Sequence, residues 1–325
     1  MPKSLHNKMN VLVTGATGFI GSHLCYELIQ RGYQVYGLSH SGNIEKIEPL
    51  LDQRNFNLVY GDIRNSEVVC QLLKDHNIEV IFHLAAQLPQ ITDFDNPFLS
   101  FDINARGTLN LIHAAYLNNI ERLIYSSSID VYSEPPEYLP VDEKHPTKPC
   151  THYGIGKLSG EFYMQLYSEV IKVTVLRYSI VYGHGGKIGG AVNQFINRAR
   201  NNEPLEIYGD GNQSNDFVYV GDVIKANLLA LEKNEPGIYN IGSGEETSIK
   251  TLAQTILRIT ESNSELVFTQ EKSNRPFRFT LDICRVKDIL GYQPCSLQQG
   301  LQEYINSFCC HCIVYSRFSC SDSKG

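Results

Sequence analysis

Tyr153-Gly154-Ile155-Gly156-Lys157 sets a phenol and an ammonium four residues apart. On a helix the two side chains lie on one face, one turn apart. A cation at that distance favours the phenolate and lowers a tyrosine pKa from about 10 towards neutrality. Such a phenolate suits a base that takes a proton from a hydroxyl while hydride leaves the same carbon. The same spacing also fits a packed tyrosine beside a surface lysine that pairs with an acid. Upstream, Ser126-Ser127-Ser128 closes the strand-like stretch Arg122–Tyr125. A hydroxyl there can hold a reacting carbinol or carbonyl oxygen in line with the tyrosine, although serines after a strand are also ordinary turn residues.

Those side chains need a sheet edge and a helix to present them, and the start of the chain supplies the pattern. Val11, Leu12 and Val13 read as a short buried strand running into Gly15, Gly18 and Gly21. Glycines at that spacing let the backbone turn tightly and approach a bulky anion. Phe19 to Arg31 continues at helical spacing with Ile20, Leu24 and Leu28 on one face. This puts a helix N-terminus, with its open N–H groups and positive dipole end, where a pyrophosphate can sit. A plain Gly-rich turn would look similar; placement at the first strand favours a dinucleotide site.

Further strands are expected at Gln34–Leu38, Phe56–Tyr60, Val80–Leu84, Arg122–Ser126 and Lys172–Leu176. Helical patterns run near Ser22–Arg31, Ser66–His76, Thr108–Asn118 and Lys157–Val170. Strand–helix alternation with near-continuous apolar strands predicts a parallel sheet covered on both faces. After Tyr178 the rhythm breaks: Ala191–Arg200 reads as a helix, Glu203–Asn215 as a turn-rich connection, and Gly237–Ile241 as a strand returning to the sheet. The expected fold is α/β, a Rossmann-type doubly wound sheet with a smaller interleaved C-terminal cap. Its expected division is an extension at 1–9, a dinucleotide-binding domain at 10–180, a substrate-binding cap at 181–306 and a Cys-rich tail at 307–325.

The 325 residues, 42% hydrophobic and 19% charged, fit a soluble globular protein with a substantial core. A net charge of −7 and the lack of a dense Lys/Arg run argue against a nucleic-acid partner. No apolar stretch approaches the roughly 20 residues that span a bilayer, and the first nine residues lack a signal peptide's apolar core. Nine cysteines, with Cys25, Cys70, Cys150, Cys284 and Cys295 scattered, fit reduced thiols in the cytoplasm.

Taken in order, Gly15-x-x-Gly18-x-x-Gly21, Gly61-Asp62-Ile63, His83-Leu84-Ala85-Ala86, Asn104, Ser128 and Tyr153-x-x-x-Lys157 resemble the extended short-chain dehydrogenase/reductases. Leu176-Arg177-Tyr178, Val181-Tyr182-Gly183, Gly209-Asp210-Gly211, Asp216-Phe217-Val218-Tyr219-Val220, Tyr239-Asn240-Ile241-Gly242-Ser243-Gly244 and Arg275-Pro276 narrow this to the NAD-dependent epimerase/dehydratase branch, with its UDP-glucose 4-epimerase-like enzymes. The resemblance runs over about residues 10–305. It implies that Tyr153 is the acid/base, that Lys157 binds the nicotinamide ribose and depresses the tyrosine pKa, and that Ser128 hydrogen-bonds the reacting oxygen. It implies cofactor contacts at Gly15, Thr17, Gly18, Phe19, Ile20, Gly21, Ser39, Leu84, Ala85, Ala86, Tyr153 and Lys157, with Asp62 and Ile63 at the adenine and Asn104 supporting the pocket. Gln87, Ser128 and Tyr153 would face the substrate, and Arg275 its diphosphate. By themselves, Asp62 also fits a turn cap before Arg64, and Asn104 a cap for the helix at Thr108.

Several positions depart from the family pattern. Ser39, followed by His40 and Ser41, stands where NAD-preferring relatives carry an acid for the ribose 2′-hydroxyl, so NAD is expected with NADP left open. Ile129 cannot protonate a leaving group, which argues against dehydration, whereas Asp130 stands in the position of a carboxylate base. Ile180 and Asn215 replace an asparagine and an arginine that contact the diphosphate. Cys309-Cys310-His311-Cys312 and Cys320 lack the spacing of a zinc site, and no metal is expected. The expected activity is a nucleotide-sugar 4-epimerase. The alternatives are a 4-keto-sugar reductase, a dehydratase or decarboxylase using Asp130, or a non-catalytic dinucleotide sensor. By resemblance, a homodimer forms through the helices at Thr108 and Lys157.

Overall fold

The computed structural model describes residues 9–88, 96–186, 190–270 and 278–308. In chain order its strands are β1 (Asn10–Thr14), β2 (Gln34–Ser39), β3 (Phe56–Tyr60), β4 (Val80–His83), β5 (Arg122–Ser128), β6 (Lys172–Tyr178), β7 (Ile180–Tyr182), β8 (Leu205–Tyr208), β9 (Ser214–Asn215), β10 (Phe217–Tyr219), β11 (Gly237–Ile241), β12 (Thr247–Ser248) and β13 (Leu266–Thr269). The α-helices are α1 (Phe19–Gln30), α2 (Ser66–Asp75), α3 (Pro97–Phe101), α4 (Thr108–Leu117), α5 (His152–Leu166), α6 (Ala191–Arg200), α7 (Val220–Lys233), α8 (Ile249–Thr260), α9 (Cys284–Leu290) and α10 (Leu297–Ser307).

Seven strands form one sheet in the order β11-β6-β5-β4-β1-β2-β3, every neighbouring pair parallel. Alternation along β1 explains its two cores. Val11 and Val13 pack with Leu24 and Leu28 of α1 and Val223 and Ile224 of α7. Leu12 points the other way, towards Leu72 and Leu73 of α2 and Leu111 and Ile112 of α4. The chain runs outward from β1 to β3 and then restarts at β4 on β1's other side. Strand order reverses there, and the crevice beyond the carboxyl ends of β1 and β4 is where such sheets hold ligands.

Two elements extend beyond the sequence-based reading, and both carry candidate residues. Strand β5 continues through the serines, with Ser126, Ser127 and Ser128 in register with Leu176, Arg177 and Tyr178 of β6. The serines are ladder residues because β6 is itself longer than its apolar run. Helix α5 begins at His152, where the Thr151 hydroxyl caps it by accepting from the Gly154 N–H at 2.9 Å. Both Tyr153 and Lys157 therefore sit on one helix. The segment expected as a turn-rich connection holds β8, which pairs with β13 far along the chain. That pairing has no local sequence signal.

Beyond β6 the elements outside the main sheet gather a third core from Phe195, Ile196, Leu252, Ile256 and Leu301. Gly237–Ile241 returns to the sheet beside β6. The buried Asp216 carboxylate ties these parts together, accepting from the Ser243 N–H and hydroxyl, both at 2.7 Å, from the Gly244 N–H at 3.0 Å and from the Leu281 N–H at 3.3 Å. No helix among the described residues is long and apolar enough to cross a membrane. Cys25, Cys70, Cys150, Cys284 and Cys295 are thiols, with no disulfide among the described residues.

Candidate active site

The glycine turn lies at the carboxyl end of β1 and closes against the loop after β4. Gly15 has φ +70°, and a Cβ there would stand 2.9 Å from the Ala85 backbone nitrogen. A Cβ at Gly21 would collide with the Gly15 carbonyl oxygen. Gly18 is the N-cap of α1 and its N–H donates to the Gly15 carbonyl at 2.9 Å. Phe19 and Ile20 form the first turn of α1, half-buried against the core. Thr17 reaches across to β2, its hydroxyl 2.9 Å from that of Ser39.

Around this turn stand the other cofactor candidates. The Asp62 carboxylate accepts from the Arg64 N–H and Nε, both at 2.8 Å, so it caps the turn it begins. The neighbouring Ile63 is buried. Leu84 and Ala85 are held by β1, their N–H groups donating to the Thr14 carbonyl at 3.3 Å and hydroxyl at 3.1 Å. Asn104 does not cap α4. It lies in a π-helical turn between α3 and α4 and clamps the Gln87 backbone, accepting from its N–H and donating to its carbonyl, both at 2.9 Å. This fixes the Leu84–Gln87 loop, Ala86 included, against the helix. Helix α5 can approach so closely because Gly156 faces Asn104; a Cβ there would come within 2.6 Å of the Asn104 Cβ.

Ser128, Tyr153 and Lys157 converge at the carboxyl end of β5. The Lys157 Nζ donates to the Ser126 carbonyl at 2.7 Å and lies 5.8 Å from the Tyr153 ring centre. The Ser128 hydroxyl accepts from the Asp130 N–H at 3.2 Å and is also hydrogen-bonded with the Tyr153 phenol. The expected lowering of the phenol pKa is corrected here. Burial, reinforced by the Asp130 carboxylate, pushes Tyr153 above the usual tyrosine range, and the Ser128 hydrogen bond only opposes it. Desolvation outweighs the ammonium because both groups are buried and the ammonium is aimed at a carbonyl. Burial also brings Lys157 down to about 7, against the opposing Glu161 carboxylate.

That shift has a sign that can be checked. Lys157 titrates near 7 when folded and near 10.5 when unfolded, so the unfolded chain binds more protons between those values. Stability from this group therefore rises with pH across that window. Thermal unfolding of the cofactor-free chain should show the rise, and Lys157→Met should flatten it; an unchanged slope in the variant would contradict the assignment.

Behind the triad lies a polar network that spacing alone did not single out. Glu161, one further turn along α5, accepts from the Ser127 hydroxyl at 2.5 Å and from Arg177 Nε at 2.9 Å and Nη2 at 2.5 Å. Arg177 Nη1 donates to the Tyr132 hydroxyl at 2.9 Å, which donates to the Asn240 Oδ1 at 2.6 Å. Two signals in the sequence point here: the four-residue step from Lys157 to Glu161, and a charged residue, Arg177, within the buried run of β6. His83 is also built in, its ring nitrogens 2.8 Å from the Thr14 hydroxyl and 2.9 Å from that of Thr108.

The substrate side is less complete. Arg275, like the Cys309–Cys312 cluster and Cys320, lies outside the described residues. Arg278, just beyond it, is held by Glu246 through two contacts of 2.6 Å. Asn215 pairs with Thr247, and Ile180 is partly exposed on β7. No group of three or more His, Cys, Asp or Glu among the described residues could hold a metal ion.

The family profile described as the NAD dependent epimerase/dehydratase family matches residues 11–242. The chain belongs to this family. It is 38% identical to a putative UDP-glucose 4-epimerase of Methanocaldococcus jannaschii over 306 residues, covering 91% of this chain and 97% of that one. Its fold is similar to that of UDP-glucose 4-epimerase from Thermotoga maritima, solved with UDP-glucose: TM-score 0.85, 34% identity, covering 92% of this chain and 98% of that one. It is also similar to UDP-glucuronic acid 4-epimerase from Bacillus cereus, solved with UDP-glucuronic acid and NAD: TM-score 0.82, 32% identity, covering 92% and 100%. This member of the epimerase/dehydratase family is thus an NAD-dependent enzyme of the nucleotide-sugar type. The turn fits that cofactor, because Gly15, Gly18 and Gly21 leave the helix N-terminus bare where a pyrophosphate needs backbone donors.

Proposed function

We propose that this chain interconverts the C4 epimers of a nucleotide-linked sugar through a 4-keto intermediate. The observation that carries the reading is the convergence of Ser128, Tyr153 and Lys157 at one strand end, beside the glycine turn. The chemistry supplied by bound NAD is reversible acceptance of a hydride from the sugar C4. As the phenolate, Tyr153 Oη takes the C4 hydroxyl proton as the carbinol becomes a ketone, and as the phenol so formed it returns that proton as the ketone is reduced on its other face. Ser128 Oγ donates to the same oxygen and holds it in line with the phenol. Lys157 keeps α5 fixed to β5 through the Ser126 carbonyl and, when protonated, supplies positive charge 5.8 Å from the tyrosine ring. The remaining turn and pocket residues, Gly15 to Gly21, Asp62, Ile63, Leu84 to Ala86 and Asn104, serve the dinucleotide, and Gln87 and Arg275 the substrate. Similarity to enzymes named for UDP-sugars supports a UDP-hexose as the substrate.

A second reading has one observation behind it. The Asp130 carboxylate acts on the Tyr153 phenol electrostatically, so it stands at the reacting end of the site and fits a base for decarboxylation or dehydration. Ile129 beside it supplies no acid for a leaving hydroxyl, which favours epimerisation. Incubation with UDP-glucose and with UDP-glucuronate, read by NMR, separates the readings: the first predicts C4 epimers with every other carbon unchanged.

We also read the chain as a cytoplasmic homodimer with 10–180 as the cofactor domain and 181–306 as the cap. The thiol state of the described cysteines supports a reducing compartment. Tyr116 and Leu117 on α4 and Phe162 and Leu166 on α5 are 48%, 57%, 57% and 74% exposed, an apolar face larger than scattered surface residues would give. Sedimentation should give twice the 36.7 kDa chain mass, and Leu166→Glu should shift it to the monomer. A wild-type monomer would contradict the assignment.

A further inference from the structure

Lys157 carries its amine inside the protein, 1% exposed, and burial lowers its affinity for a proton. An ammonium has three N–H donors; among the described residues this one donates to the Ser126 carbonyl at 2.7 Å. Its other neighbours include two aromatic faces. Nζ stands over the Tyr125 ring, 5.0 Å from its centre, and over the Tyr153 ring at 5.8 Å. A ring face carries negative potential and attracts a cation within about 6 Å, most strongly where water is excluded. Tyr125 is wholly buried and held from several sides. Its hydroxyl donates to the Lys157 carbonyl at 3.3 Å. The His83 ring, fixed between the Thr14 and Thr108 hydroxyls, stacks with it at 5.5 Å between centres. A Cβ at Gly160 would collide with the Tyr125 hydroxyl, so that glycine lets α5 press against the ring. The other titratable groups around this ammonium are Glu161 on α5, whose carboxylate favours the charge, and His83 on β4. Arg177 of β6 is held on Glu161, and Asp130 acts on Tyr153.

We propose that Tyr125 is a positioning residue for the reaction: the face of its ring holds the Lys157 ammonium charged beside Tyr153. Tyr125 acts through Lys157 rather than on the substrate. Without the ring face, burial moves the amine towards its neutral form, and the Tyr153 phenolate loses that positive charge. The inference rests on the reading of Lys157 as the charge beside Tyr153, and is independent of which sugar is turned over.

The test is an NMR titration of the full, cofactor-free chain carrying isotope-labelled lysine, the Lys157 signal being the one missing from Lys157→Met. In the wild type its midpoint is expected near 7. Tyr125→Phe keeps the ring face and gives up only the hydroxyl, so the midpoint should stay within about 0.3 pH unit of that value. Phenylalanines of increasing ring fluorination, installed at position 125, nearly keep the volume while withdrawing negative potential from the face. Along that series the midpoint should fall step by step, reaching about one pH unit for a fully fluorinated ring, a tenfold loss of proton affinity. A ring that served only as packing would leave the midpoint unmoved by fluorination, and that result would overturn the proposal. So would a fall in Tyr125→Phe as large as in the fluorinated variants, which would assign the effect to the hydroxyl. Because the titration needs no sugar turnover, its failure is distinct from a failure of the C4 chemistry proposed above.

Discussion

Tyr153→Phe is expected to lower turnover by about 10²–10⁴-fold, the range for loss of a positioned general acid–base group. Phenylalanine keeps the ring volume at a position 8% exposed, so the fold should be retained. The variant removes only the Oη that shares a hydrogen bond with Ser128 and carries the substrate proton. Cofactor binding should therefore survive, because the glycine turn and the Asn104 clamp do not depend on that oxygen. Steady-state kinetics with a fluorescence titration of bound cofactor checks both halves. Turnover within tenfold of the wild type would remove Tyr153 from the chemistry. A cofactor lost together with turnover would make it a structural residue.

Glu161→Ala should have the largest effect on stability. Glu161 and Arg177 have side chains only 4% exposed and meet through two contacts, and Glu161 also accepts from the Ser127 hydroxyl. Removing the carboxylate leaves the guanidinium buried without its counter-charge, which costs about 3–5 kcal/mol. Replacing both partners with apolar residues of similar volume, Glu161→Leu with Arg177→Met, should recover a large part of that loss. Denaturant unfolding measures both variants. A single variant that loses less than about 1 kcal/mol, the value of an exposed pair, would show that solvent reaches this network. The same carboxylate supports the Lys157 charge, so the variant should also favour the neutral amine.

The local parts of this site were readable from the sequence because their signals are local. The strand Val11–Val13, the glycine spacing and the four-residue step from Tyr153 to Lys157 each follow from backbone periodicity, and the structure builds them as read. Gly237–Ile241 pairs with β6 in the main sheet, as expected. Other features depend on partners far along the chain. The pairing of β8 with β13 joins stretches some sixty residues apart, such as Leu205 with Leu266, and neither stretch is distinctive alone. The pKa of Tyr153 runs against the expectation from spacing for a related reason. Spacing along a helix reveals that a cation lies near, but it does not reveal that burial will dominate or that the lysine will turn to the Ser126 carbonyl. Asn104 shows the same limit. As a residue near a helix start it fits a cap, whereas the π-helical turn swings it inward to clamp Gln87. Glu161 and Arg177 were legible in principle: a charge inside an apolar strand needs a buried partner, and the helix face already carrying Tyr153 and Lys157 offered one.

The central claim, oxidation and reduction at a sugar C4 under Tyr153, is tested most directly with UDP-glucose deuterated at C4. The intact chain is incubated with it and the products are followed by NMR. The account predicts a C4 epimer that keeps the deuterium at C4, with all other carbons unchanged. A product altered at C5 or C6 with its C4 configuration intact, or deuterium exchanged into solvent, would contradict it.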